Sequence, residues 1–237
     1  MPRSKGPGKS VGAPSRPSGR GMQVKLKTAK GRKKSSSRWL QRQLNDPYVT
    51  EAARSGYRSR AAWKLAQIDD KFKLLKANAR VVDLGAAPGG WTQVAVQRIE
   101  RSGMVVAVDV AGMDAVSGAE FLQLDMREEA GVGALKKFLA GPVDVLLSDM
   151  AASATGHRGT DRIRAEALCE VAHELAREML TADGVLVVKA FHGGGESDLM
   201  NAMKQDFARV RTFKPDASRA DSAETYIVAT GFRRSVS

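Results

Sequence analysis

Residues 81–91 read Val-Val-Asp-Leu-Gly-Ala-Ala-Pro-Gly-Gly-Trp, an apolar run that ends in a carboxylate and is followed by a glycine-rich turn. This order predicts a buried strand that ends near Leu84, a turn without bulky side chains, and a helix that begins near Gly90. A helix leaves the N–H groups of its first turn free, and small residues in the turn let a ligand approach the backbone. In a doubly wound sheet this position is the carboxyl end of the first strand, where nucleotide-like ligands bind.

Five apolar runs, separated by helical or loop segments, predict a parallel sheet with helices on both faces. The runs are Arg80–Leu84, Met104–Val110, Glu120–Leu124, Val143–Ser148 and Gly184–Val188. We expect helices at about residues 90–100, 128–139 and 160–180. In the last of these, apolar residues four positions apart predict one buried stripe made of Ile163, Ala167, Val171, Leu175 and Met179. The expected fold class is therefore a Rossmann-like α/β domain.

The C-terminal part of the chain predicts one more helix and two strands. The helix presents one apolar side, made of Leu199, Met200, Met203 and Phe207. The strands cover Ala208–Phe213 and Thr225–Gly231, and the connection between them includes Pro215 and shows no helical pattern. Strands joined without a crossover helix are normally antiparallel. We therefore expect a seven-stranded, mostly parallel sheet with one antiparallel strand, whose first residues lie at the edge where the parallel strands end.

Each expected parallel strand ends in, or next to, a charged residue, and these residues are Asp83, Asp109, Asp125, Asp149 and Lys189. The antiparallel strand starts beside Glu224, which the topology brings to the same rim. Since ligands of open α/β sheets bind outside the carboxyl ends of the strands, we expect these charges to form one chemical site. A single charge there is unremarkable, because strands end where polarity begins. A lysine directly after the apolar run 185–188 is different, since burial of an ammonium is costly unless carboxylates pair with it.

The turn after the first strand argues against a dinucleotide ligand. Its sequence over residues 85–90, Gly-Ala-Ala-Pro-Gly-Gly, does not match the Gly-x-Gly-x-x-Gly fingerprint of a pyrophosphate site. Asp109 still suits a ribose diol, Asp125 can accept a hydrogen bond from an exocyclic amine, and Asp83 suits a cationic amino acid group. These residues favour an adenosine with a non-phosphate tail, and S-adenosylmethionine is the candidate cofactor.

A second lysine lies upstream, in a predicted helix over Ser59–Phe72 whose buried stripe is Ala61, Leu65, Ile68 and Phe72. Lys64 borders that stripe, so its stem can pack while its ammonium points either at the rim or into solvent. A sugar hydroxyl is a weak nucleophile and needs a base when its oxygen attacks a methyl group. Two lysines with Asp149 and Glu224 can hold such a hydroxyl in line within one dry crevice, without a metal.

Over about residues 34–233 the chain resembles the FtsJ/RrmJ family of ribosomal RNA 2′-O-ribose methyltransferases. The resemblance is carried by segments spread along the chain, which together are highly specific. They are Ser35–Leu40, Arg58–Ala61 with Lys64-Leu65, Val82–Trp91, Ser148–Ala151, Val187–Lys189, Lys214–Asp216, Ser218–Ala220 and Glu224–Gly231. One departure is visible: the family usually has a proline after Ser-Asp-Met-Ala, whereas this chain has Ala152, which puts the geometry of that loop in question.

By resemblance, the catalytic residues form a tetrad made of Lys64, Asp149, Lys189 and Glu224. Within it, Lys189 would be the proton acceptor. The resemblance also implies S-adenosylmethionine contacts at Gly89, Trp91, Asp109, Asp125 and Asp149. The implied substrate is a uridine ribose in the peptidyl-transferase A-loop of 23S rRNA, in the large ribosomal subunit or its late precursor. Two alternatives stay open: a ribose methyltransferase of the tRNA anticodon loop, and a non-catalytic RNA-binding or ribosome-assembly factor that keeps the fold.

The positive charge of the chain is concentrated at its N-terminus. Of the 38 Lys and Arg residues, 13 lie in residues 1–45, which hold no acidic residue, so 25 remain against all 26 Asp and Glu residues. Residues 1–34 are rich in Gly, Ser and Pro and predict a disordered basic arm, followed by a methyltransferase domain over residues 35–237. Such an arm either tracks RNA phosphates, with a steep salt dependence, or only aids solubility. Within the domain, the candidate phosphate contacts are Arg38, Arg58, Arg60 and Arg219.

The cysteine, histidine and hydropathy patterns exclude several classes of protein. Cys169 is the only cysteine, which rules out an intrachain disulfide and suits a reducing compartment. His157, His173 and His192 have no ligand-like spacing with it, so we expect no metal. No apolar run approaches the length of a membrane span. We expect a cytoplasmic monomer whose partner is ribosomal RNA and not a membrane.

Overall fold

The structure, a computed structural model, describes residues 40–41, 44–100, 102–153, 155–191 and 196–234. The helices α1 (Pro47–Arg54) and α2 (Ala61–Phe72) precede the first strand. The remaining elements are β1 (Arg80–Leu84), α3 (Gly90–Ile99), β2 (Met104–Asp109), β3 (Glu120–Gln123), α4 (Glu129–Leu139), β4 (Val143–Ser148), α5 (Arg158–Met179), β5 (Leu180–Phe191), α6 (Glu196–Asp206), β6 (Phe207–Phe213) and β7 (Glu224–Phe232). The predicted arm over residues 1–34 and the candidate RNA contact Arg38 lie outside the described residues.

Within these ranges, seven strands form one sheet in the order β3-β2-β1-β4-β5-β7-β6. Strands β1 to β5 are parallel, and β7 is antiparallel to both β5 and β6. This confirms the predicted Rossmann-like class and the reversed final strand. The strand order reverses between β1 and β4, which is the switch point of the sheet. In the β5–β7 ladder Lys189 is opposite Tyr226 and Phe191 is opposite Glu224, so β7 starts at the edge where the parallel strands end.

A hydrophobic core covers each face of the sheet. On one face α4, α5 and α6 pack on the strands through residues such as Leu135, Leu175 and Met203. On the other face α1, α2 and α3 pack through residues that include Trp63 and Ile68. Burial of one large apolar side chain contributes about 1.5–3 kcal/mol. The two cores therefore hold the helices, and the charged residues that they carry, firmly against the carboxyl edge of the sheet.

The first turns of α5 differ from the prediction. Leu175 and Met179 are buried as expected, but Ile163 is 67% exposed and Ala167 is exposed as well, so the stripe predicted over the whole helix is wrong. The reason is that the N-terminal half of α5 lies beyond the carboxyl ends of the strands, where it borders a cleft. Strand β5 also starts earlier than predicted, because Leu180 already pairs with β4 before an irregularity in the ladder.

Candidate active site

The turn between β1 and α3 requires glycine at two positions. Gly85 has a φ of +74° and Gly89 a φ of +105°, values that residues with a side chain rarely adopt. A Cβ on Gly85 would lie 2.7 Å from the backbone nitrogen of Met150, and one on Gly89 would lie 2.9 Å from Arg58 Nη1. The glycines therefore let the β1 turn, the loop after β4 and Arg58 approach one another closely at the switch point.

Asp83, in β1, is fully buried. Its Oδ2 accepts a 2.7 Å hydrogen bond from Thr92 Oγ1 in α3, whereas its buried Oδ1 has no hydrogen-bond partner among the described residues. Burial raises the pKa of Asp83 to about 7, although the hydrogen bond from Thr92 acts to lower it. A buried carboxylate oxygen without a donor is costly. The side chain therefore fits a position beside a cationic or hydrogen-bond-donating group.

A cleft of about 770 Å³ opens between the carboxyl ends of the strands and the N-terminal half of α5. Much of its wall is apolar and includes Val108, Leu124, Met126, Met150, Leu168 and Val171. Polar side chains in the wall include Asp109, Asp125 and Asp149. An apolar slot with a few convergent polar groups is typical of a small-molecule site. Ala152, where the resembling family usually has proline, lies in the wall of this cleft.

Two carboxylates of the cleft are held in place by N–H groups. Asp109, the last residue of β2, accepts hydrogen bonds from the backbone of Ala87 at 2.9 Å and of Ala111 at 2.8 Å. Asp125, just after β3, accepts from the backbone nitrogen of Arg127 at 3.0 Å and from its Nε at 2.9 Å. The side-chain hydrogen bond from Arg127 is the main reason that the pKa of Asp125 is lowered to about 2. Both side chains are thus oriented acceptors in the cleft wall.

The four predicted tetrad residues form two ion pairs beside the cleft. Lys64 Nζ, in α2, lies 2.8 Å from Glu224 Oε1 and 2.9 Å from Glu224 Oε2. Lys189 Nζ, in β5, lies 3.1 Å from Asp149 Oδ1 and donates to the Asp149 carbonyl at 2.6 Å. The four side chains are between 8% and 17% exposed. The ion pair with Glu224 therefore directs Lys64 to the rim and not into solvent.

Tyr226, which the sequence patterns above do not indicate as a site residue, links the two ion pairs. Its hydroxyl donates a 2.9 Å hydrogen bond to Asp149 Oδ1, and its ring centroid lies 5.8 Å from Lys64 Nζ. Burial raises the pKa of Tyr226 well above its ordinary value, and the Asp149 and Glu224 carboxylates raise it further. The period of the last strand could have indicated Tyr226 as a site residue. Residues two apart in a strand share a face, and Tyr226 follows Glu224 by two positions.

Glu224 is held from its other side by the loop between β6 and β7. Ser218 Oγ donates to Glu224 Oε1 at 2.8 Å, and the Ala217 backbone N–H anchors the loop on Gln67 Oε1 at 2.8 Å. Burial acts to raise the pKa of Glu224, but the Lys64 ammonium and the hydrogen bonds from Lys64 and Ser218 hold it below its ordinary value. Glu224 is therefore an ionised acceptor that fixes the direction of Lys64.

Trp91 packs between α2, which carries Lys64, and the ring of Tyr226. The side chain is 2% exposed, and its Nε1 donates to the Ala61 carbonyl at 2.8 Å. Its ring centroid lies 5.5 Å from that of Tyr226. What Trp91 leaves available to a ligand is its backbone N–H, because the N–H groups in the first turn of α3 have no partner within the helix.

The candidate RNA-binding arginines within the described residues are engaged in protein contacts. Arg58 donates to two backbone carbonyls of the loop after β2, each at 2.6 Å, and so ties that loop to the β1 turn. Arg60 lies 2.6 Å from the buried carboxylate of Asp46 and also donates to the Ala217 carbonyl. Arg219 lies 3.5 Å from the same carboxylate and is 31% exposed. Burial lowers the pKa of Arg60, against the opposing effect of Asp46.

In the part of the chain that the structure describes, no group of three or more His, Cys, Asp and Glu side chains is arranged to hold a metal ion. None of the helices in the described ranges has both the length and the apolar character that crossing a bilayer requires. Cys169 is buried, with its Sγ 2.9 Å from the Lys189 carbonyl. Burial raises the pKa of this thiol to about 12, which makes it a poor nucleophile.

The doubly wound sheet has a cleft at its switch point, and paired lysines and carboxylates lie beside that cleft. These features define a Rossmann-like α/β protein with a small-molecule site. A family model for FtsJ-like methyltransferases matches residues 57–232. The chain therefore belongs to the FtsJ-like methyltransferase family. Membership of that family implies a methyl donor.

Similar proteins cover nearly the same length. A protein of Parvibaculum lavamentivorans named ribosomal RNA large subunit methyltransferase E is 53% identical over 224 residues, which are 90% of this chain and 88% of that protein. A protein of the same name from Paramagnetospirillum magneticum is 52% identical over 236 residues, or 98% of this chain and 97% of that protein. Among solved structures, a ribosomal RNA methyltransferase of Plasmodium falciparum is 28% identical with a TM-score of 0.66, covering 74% of this chain and 98% of that one.

Proposed function

We propose that this protein transfers the methyl group of S-adenosylmethionine to the 2′-hydroxyl of a uridine ribose in the A-loop of 23S rRNA, in the large ribosomal subunit or its late precursor. The observation that carries the proposal is the pair of lysine–carboxylate contacts, joined through Tyr226, at the edge of the cleft. Family membership supports methyl transfer. The names of the relatives support the large-subunit RNA, and the sequence motifs support the ribose hydroxyl.

Residues in and next to the cleft wall suit S-adenosylmethionine. The unpartnered Oδ1 of Asp83 suits the cationic amino acid end, Asp109 suits the ribose hydroxyls, and Asp125 suits the adenine amine. The turn at Gly89 and the first N–H groups of α3 offer donors without a side chain in the way. Bound S-adenosylmethionine supplies a methyl group on a cationic sulfur, which leaves as a neutral thioether, so the reaction needs no metal.

The ion pairs handle the proton and the alignment of the ribose. Lys189 first releases its own proton to solvent, and as a neutral amine it then accepts the proton of the 2′-hydroxyl while the oxygen–methyl bond forms. Asp149 stabilises the ammonium that results. Lys64, fixed by Glu224, donates to the ribose oxygen and holds it in line. Since these side chains are mostly buried, their interactions act at a lower effective dielectric than in water. Most of the rate acceleration then comes from alignment of the reacting groups.

The test uses large subunits from a strain that lacks the gene. Wild-type protein with S-adenosylmethionine should methylate one uridine ribose of their 23S rRNA, and Lys189→Ala should abolish transfer while leaving cofactor affinity within about threefold. Lys136→Ala is the control, because Lys136 forms an exposed ion pair with Glu178 and both side chains are 46% exposed. Loss of the methyl group from tRNA instead of 23S rRNA in that strain would favour the anticodon-loop enzyme. Subunits left unmethylated by wild-type protein would favour the non-catalytic assembly factor, and full methylation by Lys189→Ala would exclude Lys189 as the proton acceptor.

A further inference from the structure

A partly exposed aromatic residue lies on the strand that carries Lys189. Phe191 is the last residue of β5, and its side chain is 37% exposed. It follows Lys189 by two positions, so both side chains emerge on the same face of the sheet. Across the ladder Phe191 is paired with Glu224. Directly opposite residues of antiparallel strands have Cβ atoms about 4.5–5.5 Å apart.

The position of Phe191 sets it apart from the other exposed apolar side chains. Single exposed apolar residues are normal on a protein surface and need no explanation. In the described ranges the large ones are Leu44, Val110, Phe138, Ile163 and Phe191. Phe191 alone among these is paired with a tetrad residue. No ring contact joins it to another aromatic side chain of the described residues, so no aromatic partner among them stacks on it.

The chemistry of the proposed substrate suggests which group contacts the Phe191 ring. In a nucleotide the base is attached to C1′, the carbon next to the one that bears the 2′-hydroxyl. When Lys64 and Lys189 hold that hydroxyl, the base of the same nucleotide must lie within a few bonds of the tetrad. Proteins that act on unpaired nucleotides commonly receive the base on an aromatic side chain, because every base has a π-face.

We propose that Phe191 is the platform on which the base of the methylated nucleotide stacks. The inference rests on the proposed function, since it needs an RNA ribose at the tetrad. Phe191 is a positioning residue, because it contacts neither the 2′-oxygen nor the methyl group. A ring at this place fixes the rotation of the ribose about its glycosidic bond, and so presents the hydroxyl to Lys189.

Steady-state methylation of large subunits from the deletion strain tests the inference. Phe191→Ala and Phe191→Leu should raise the KM for subunits by roughly 5- to 150-fold, the range that loss of one stacked base produces. Phe191→Trp should keep the wild-type KM, since it restores a flat π-face. Cofactor affinity, measured by calorimetry, should be unchanged in all three variants.

Phe138→Ala is the matched control, because Phe138 is 42% exposed and lies on α4, away from the tetrad. It should leave the KM for subunits unchanged. A wild-type KM in Phe191→Ala would overturn this inference and leave the proposed function intact. Equal KM values for Phe191→Leu and Phe191→Trp would do the same, since an apolar contact without stacking would then be enough. Subunits left unmethylated by wild-type protein would overturn the proposed function and this inference with it.

Discussion

The Tyr226 hydroxyl donates to Asp149 Oδ1 at 2.9 Å, the same oxygen that Lys189 Nζ contacts at 3.1 Å. One carboxylate oxygen therefore holds both the proposed proton acceptor and a tyrosine whose ring lies close to the other lysine. In the proposed mechanism, a fixed Asp149 keeps Lys189 directed at the ribose. The position of the proposed acceptor then depends on a hydroxyl that takes no part in the proton transfer itself.

Tyr226→Phe should lower kcat by roughly 10-fold or more, because a hydrogen bond to a charged group contributes about 1.5–3 kcal/mol. Phenylalanine keeps the ring that packs on Trp91, so folding and cofactor affinity should be preserved. Tyr57→Phe is the matched control, since the Tyr57 hydroxyl bonds to Gln97 Oε1 at 2.8 Å, outside the cleft wall and the tetrad. Methyl-transfer rates at saturating cofactor measure both variants. Equal kcat values for Tyr226→Phe and wild type would show that Asp149 needs no help from Tyr226.

Asp83 should make the stability of the ligand-free protein depend on pH. An unfolded aspartate has a pKa of about 3.9, whereas the folded value is about 7. Between these values the folded state binds more protons than the unfolded state, so stability falls as pH rises through this window. The free energy of unfolding of wild type, relative to Asp83→Asn, should drop by on the order of 4 kcal/mol from pH 4 to pH 8.

Urea unfolding of both proteins across that range measures the difference. Thr92→Val supplies an internal check, because the hydrogen bond from Thr92 lowers the pKa of Asp83 and its removal should move the window to higher pH. Parallel pH profiles for wild type and Asp83→Asn would mean that the Asp83 carboxyl titrates alike in the folded and unfolded chains.

The placement of the charged rim could be predicted from the sequence because it follows from local patterns. Each apolar run ends where its strand ends, and parallel strands end at one edge, which brings Asp83, Asp149 and Lys189 together. The direction of Lys64 required more, since the spacing of α2 leaves a border residue free to turn either way. The contact with Glu224, 160 positions away, decides it.

Features that join distant segments were not predictable from such patterns. Tyr226 has the strand neighbours of a core residue, and its hydroxyl gains a role from Asp149, 77 positions away. Asp46 and Arg60 pair across the start of two helices, which no periodicity indicates. The stripe predicted for α5 failed at Ile163 because periodicity reports which side of a helix is apolar, not how far the sheet beneath it extends.

Asp46 should be important for stability. Its carboxylate accepts from the Tyr48 N–H at the start of α1, lies 2.6 Å from Arg60 and contacts Arg219. The Asp46 and Arg60 side chains are 8% and 15% exposed, so removal of one leaves the other charged and buried. Asp46→Ala should lower the free energy of unfolding by about 3–5 kcal/mol.

Glu178→Ala is the control, because both side chains of the Lys136–Glu178 pair are exposed, and it should lower the free energy of unfolding by about 0–1 kcal/mol. Chemical denaturation compares the two, and similar losses would contradict the assignment of a buried pair.

The basic segment over residues 1–34 should contribute to RNA affinity through charge alone. It carries 11 Lys and Arg residues and no acidic one, and each cation that neutralises a phosphate releases a counterion, so binding weakens as salt rises. Deletion of residues 1–34 should weaken binding to large-subunit RNA at low salt and flatten the plot of log affinity against log salt. Cofactor affinity should not change, because the cleft is built from residues 85–171. Filter binding over a salt series, with calorimetry for the cofactor, measures both. Equal RNA affinity with and without the segment at low salt would reduce it to a solubility element.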